Sequence, residues 1–75
     1  MSKLRRVSGA ETIKALKRFG FMQVRQRGSH VVLIRETAEG KIGCVVPLHH
    51  ELAIGTLRGI LRQAKITLDD FTENL

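Results

Sequence analysis

The sequence predicts an α+β fold of two layers, α-β-β-β-α, with a three-stranded antiparallel sheet, helices on one face and a short C-terminal helix. Three observations predict it. A helix-start signature opens the chain at Ser8–Glu11 and is followed by apolar residues at near-helical spacing. Three segments between residues 21 and 46 are alternating or β-branched and are joined by short polar connections. An apolar stripe at Leu57, Ile60, Leu61 and Ala64 then marks a second helix.

Ser8-Gly9-Ala10-Glu11 matches a capping box, in which the serine hydroxyl accepts from the Glu11 amide and the glutamate reaches back to the Ser8 amide. Ala10, Ile13, Leu16 and Phe19 are expected to face inward, with Lys14, Lys17 and Arg18 on other faces. Gly20 stands where a helix usually stops, so the first helix is expected over residues 9–19. The first strand is expected over Phe21 to Gln26, half-buried, with Met22 and Val24 on one side and Gln23 and Arg25 on the other. Arg27-Gly28-Ser29 reads as a tight turn. His30 to Arg35 is the second strand, Glu36 to Gly40 a polar hairpin loop, and Lys41 to Val46 the third strand, ended by Pro47. Leu48 to Gly55 is a loop carrying His49, His50 and Glu51. Thr67 and Asp70 form a second capping pair that opens a short last helix with Leu68 and Phe71 inward. The face left without helices should present Gln23, Arg25 and Arg35.

The 75 residues fit one domain spanning 1–75. One cysteine, Cys44, excludes an intramolecular disulfide and suits a reducing, cytoplasmic setting; it reads as a small core residue. The histidines fall at 30, 49 and 50, with no C-x-x-C or H-x-x-x-H spacing, so no metal or other cofactor is expected. The longest apolar run is four residues, Val31 to Ile34, far short of a membrane span. The opening residues Met1 to Arg6 are basic and polar, without an apolar targeting segment.

Charge narrows the function further. Thirteen Lys and Arg against seven Asp and Glu give +6, and residues 1–35 hold nine of the cations with a single acid, Glu11. So lopsided a distribution suits a polyanion, and nucleic acid is the usual one. The alternative is a solvated surface that only aids solubility. Lys14, Lys17, Arg18, Arg58 and Arg62 can all be read that way.

The order and spacing of three blocks resemble the HicA toxin family, whose fold is similar to the double-stranded RNA-binding domain. They are Gly20-Phe21 with Arg25-Gln26-Arg27-Gly28-Ser29-His30, then Val46-Pro47-Leu48-His49, then Gly55-Thr56-Leu57 through Ile60-Leu61-Arg62-Gln63-Ala64. The resemblance covers Ser8 to about Phe71. It implies a metal-independent endoribonuclease that cleaves single-stranded mRNA and blocks translation, neutralised by a HicB-type antitoxin. It also implies that His30, in the Gly-Ser-His turn, is the functional histidine. His50, beside His49, is an addition to the family's pattern.

The chemistry is consistent with these residues. RNA carries its own nucleophile, the 2′-hydroxyl. Its cleavage needs a base for the 2′ proton, an acid for the leaving 5′ oxygen and positive charge on the phosphorane. An unperturbed histidine titrates near 6.5 and can serve both proton roles at neutral pH. His30 is therefore the catalytic candidate. Arg25, Arg27 and Arg35 are expected to flank it as phosphate ligands, Ser29 to orient it or bind phosphate, and His49 to contact substrate. Considered without the resemblance, a lone histidine beside an apolar strand is more often a packed or capping residue. A non-catalytic RNA-binding module on the same scaffold is the competing reading. DNA binding finds less support, because no helix pair has helix-turn-helix spacing.

Overall fold

The computed structural model describes residues 6–75, so most of the basic opening segment lies outside the described residues. Six elements follow in order: α1 (Gly9–Arg18), β1 (Met22–Arg27), β2 (His30–Thr37), β3 (Gly40–Pro47), α2 (Ile54–Ala64) and α3 (Leu68–Glu73). The strands form an antiparallel meander in the order β1-β2-β3. The α+β arrangement with a short last helix is as the sequence predicts.

Both capping pairs form. The Glu11 amide donates to Ser8 Oγ and the Ser8 amide to Glu11 Oε1, each at 3.0 Å, while the Asp70 amide donates to Thr67 Oγ1 at 3.1 Å. The first helix ends at Arg18, one residue earlier than expected, and Gly20 follows at φ 94°, a backbone state open to glycine at little cost. Ala10 is exposed rather than inward; fully buried Thr12 takes its place, its hydroxyl donating to the Ser8 carbonyl at 2.9 Å. The second helix has no side-chain cap at its start. At its end Lys65 takes a left-handed conformation, φ 58°, and the Ile66 amide donates to the Leu61 carbonyl in a Schellman-type closure.

The core lies between the helices and one face of β2 and β3. Val31 and Leu33 point inward from β2, Cys44 and Val46 from β3, and they meet Leu16, Leu57, Ile60, Leu61 and Phe71. α1 and α2 both pack on β3, and α3 packs on α2. Burial pushes the Cys44 thiol up from 9.0 to about 11, so it stays protonated and inert at neutral pH.

β1 departs from the expectation of a half-buried strand. All six residues are exposed, including Met22 at 69% and Val24 at 54%. The physical reason is position: β1 is an edge strand that overhangs the two strands the helices cover. Phe21, expected within the strand, instead precedes it and is buried. A register shift between Gln23 and Arg25 inserts Val24 as a bulge. The bulge resets the side-chain alternation, so Arg25 opposes Val32 and shares the open face with Met22, which opposes Ile34. Gln23 opposes inward-pointing Leu33 and stands on the other side.

The β2–β3 connection is shorter than the expected loop. The ladder continues to Thr37 paired with Gly40, leaving a two-residue turn braced by the Thr37 hydroxyl, which donates to the Gly40 carbonyl at 2.7 Å.

Candidate active site

Three segments converge at the His30 end of the sheet. The first is the β1–β2 turn, where Gly28 and Ser29 are the connecting pair and Arg27 belongs to β1 rather than to the turn. Gly28 adopts φ 56° at the first turn position, where a tight hairpin of this kind requires glycine, and Gln26 Nε2 donates to its carbonyl at 3.0 Å. The second segment is the end of β3. Pro47 opposes His30, and the Leu48 amide donates to the Ser29 carbonyl at 2.6 Å, extending the ladder past the proline. The third is the start of α1, whose Gly9 amide donates to the His49 carbonyl at 2.9 Å.

That last contact is tight. A Cβ on Gly9 would stand 2.0 Å from the Pro47 carbonyl oxygen, so only glycine lets α1 approach the strand end this closely. In the sequence Gly9 reads only as part of a capping box. Its position directly after the N-cap serine, where alanine is a better helix former, was the available signal. The Leu52 amide donates to the Val7 carbonyl at 2.8 Å and fastens the other side of the loop.

His30 is the first residue of β2 and is exposed. Its ring has no protein hydrogen-bond or ionic partner among the described residues, so both nitrogens face solvent or a ligand. Arg27 is its direct cross-strand neighbour, a relation that sets Cβ atoms about 5 Å apart. Arg25, two residues back, is its diagonal neighbour on the same face, about 7–8 Å away by strand geometry. Both arginines are exposed and lack an acidic partner among the described residues. Ser29 is exposed beside them, its carbonyl used and its hydroxyl without a protein partner. His49 and His50 are exposed on the loop fastened to the same end.

Arg35 is the exception. It was expected to flank His30 on the open face, but it lies five residues along β2, an odd number, and so projects to the helix-covered face. There it is half-buried: Nη1 donates to the Phe19 carbonyl at 3.1 Å and the guanidinium sits 5.4 Å from the centre of the Phe21 ring. It ties the end of α1 to the sheet, at a distance from the histidine of about 16 Å along the strand.

Among the described residues, no group of three or more His, Cys, Asp and Glu side chains is placed to hold a metal ion. No described helix is long and apolar enough to cross a membrane.

A search of curated proteins returned no match. The family described as the HicA toxin of bacterial toxin–antitoxin systems matches residues 9–66, from the first residue of α1 to just beyond α2, with His30 and its arginine neighbours inside the match. On that match, the chain belongs to the HicA toxin family.

Proposed function

We propose that this toxin is a metal-independent endoribonuclease that cleaves mRNA, with His30 as the group that moves the proton. One observation carries the reading: an exposed, unpartnered imidazole with Arg27 directly across the ladder and Arg25 on the diagonal. The two guanidiniums hold the scissile phosphate by charge-assisted hydrogen bonds and offset the charge that develops on the phosphorane. His30 takes the proton from the 2′-hydroxyl, whose oxygen attacks phosphorus. The imidazolium so formed returns a proton to the departing 5′ oxygen. That step leaves a 2′,3′-cyclic phosphate and a 5′-hydroxyl. Ser29 and His49 are substrate contacts at the same end, and the protein acts in the cytoplasm, where its substrate is.

The partner is a HicB-type antitoxin that covers this face. The open face carries Met22, Val24 and Val45 as exposed apolar side chains beside Arg25 and Arg27. An acidic partner with apolar contacts fits that mixture, and added salt should weaken the complex without abolishing it.

Replacing His30 with alanine tests the activity. Cleavage of RNA in the presence of a chelator, and growth arrest on expression, should both be lost while RNA binding persists. A variant that remains fully toxic would leave only an RNA-binding module.

A further inference from the structure

At the far end of the sheet from His30, an open cavity of about 550 Å³ lies between β2, β3 and the end of α2. Its lining includes Arg35, Lys41, Lys65, Gln63 and the backbone of Gly43, with Glu39 as its acid. We infer that this cavity is a second, sequence-independent binding site for an RNA phosphodiester, held by Arg35 and Lys65. The inference rests on the RNA reading above and adds to it a site that does no chemistry.

Three features carry it. First, Arg35 is held rigid by the Phe19 carbonyl and the Phe21 ring, yet its buried Nε has no hydrogen-bond partner. A buried guanidinium donor without an acceptor is costly unless a ligand or water meets it. Second, the cations Arg35 and Lys65 line it with one acid, Glu39, and no carboxylate among the described residues is paired with Arg35. Third, Lys65 occupies the left-handed closing position of α2, where glycine would be unstrained, and so places an ammonium at the cavity wall. No aromatic ring lines the cavity, so it lacks the stacking surface that reads bases. β3, an edge strand, runs from Gly40 beside the cavity to Pro47, the cross-strand neighbour of His30. His30 and the cavity are about 16 Å apart along β2 and on opposite faces, so an RNA chain that meets both passes around the β3 edge.

The test measures binding of an RNA oligonucleotide over a range of salt concentrations, in the His30→Ala background so that the RNA stays intact. Lys65→Gly removes a charge while easing the backbone, so a loss of binding cannot come from unfolding; Lys65→Gln is the second variant. Each should weaken binding equally for unrelated sequences and reduce the slope of log affinity against log salt by about 0.7, the value for one single-strand phosphate contact. Arg58→Gln, on the exposed side of α2, should leave the slope unchanged. If both Lys65 variants keep the parent slope, or if Arg58→Gln lowers it as much, the second site is wrong while the nuclease reading stands. If the His30→Ala parent binds no RNA at all, both fall.

Discussion

His30 and Arg35 sit on one strand, five residues apart, and the structure uses them in opposite ways. His30 stands at the uncovered end, exposed and without a protein partner. Arg35 lies on the face beneath the helices, pinned by a carbonyl and an aromatic ring. A strand of period two separates them as surely as a long loop would. A charge on the open face is free to meet substrate, whereas one on the covered face must first satisfy the fold. Nearness in sequence, which grouped Arg35 with Arg25 and Arg27, says nothing about which of these a residue does.

Stability measurements can break or sharpen that contrast. The largest difference should come from adjacent residues of β2. Leu33→Ala, on the covered face, should cost about 2–5 kcal/mol in denaturant unfolding. Val32→Ala, on the open face, should cost about 1 kcal/mol or less; equal losses would mean the two faces are not distinct. Arg35→Met removes the donor to the Phe19 carbonyl and should cost about 1–3 kcal/mol by the same measurement. Arg25→Met should change stability by no more than about 0.5 kcal/mol.

Cys44, opposite Leu33 on the covered face, gives a pH signature. Its thiol is raised to about 11 in the fold, so the native state holds the proton more tightly than the unfolded chain does. The stability this adds is fully present below about pH 9 and is lost as pH rises from 9 to 11, by roughly 3 kcal/mol at most. The thermal midpoint should fall over that window, and fall less in Cys44→Ala. An effect of opposite sign is expected at Lys65, where replacement by glycine should stabilise the protein by up to about 1 kcal/mol, seen as a slightly higher Tm.

The parts of the fold that were legible in the sequence depend on short-range chemistry. Ser8 with Glu11 and Thr67 with Asp70 are pairs three residues apart, and each forms its cap. The stripe of α2 is buried at all four expected positions, Leu57, Ile60, Leu61 and Ala64. Arg27 was expected to flank His30 from within the turn, and it does stand beside it, but as the last residue of β1 directly across the ladder. What was not legible depends on distant partners. β1 is exposed because the helices settle over β2 and β3, a packing outcome that its own alternation does not encode. The bulge at Val24 has no glycine to announce it, yet it decides which face Arg25 joins. Thr12 displaced Ala10 from the core because its hydroxyl is satisfied by the Ser8 carbonyl within the helix. The close approach at Gly9 depends on the carbonyl of Pro47, thirty-eight residues away.

The central claim is that one exposed imidazole among guanidinium groups moves the proton for RNA cleavage. The direct measurement is the rate of RNA cleavage by the His30→Ala protein with chelator present, beside its thermal midpoint and its affinity for uncut RNA. The rate should fall by about 10²–10⁴-fold while the other two quantities stay unchanged. Cleavage at the parent rate by a folded His30→Ala protein would contradict it.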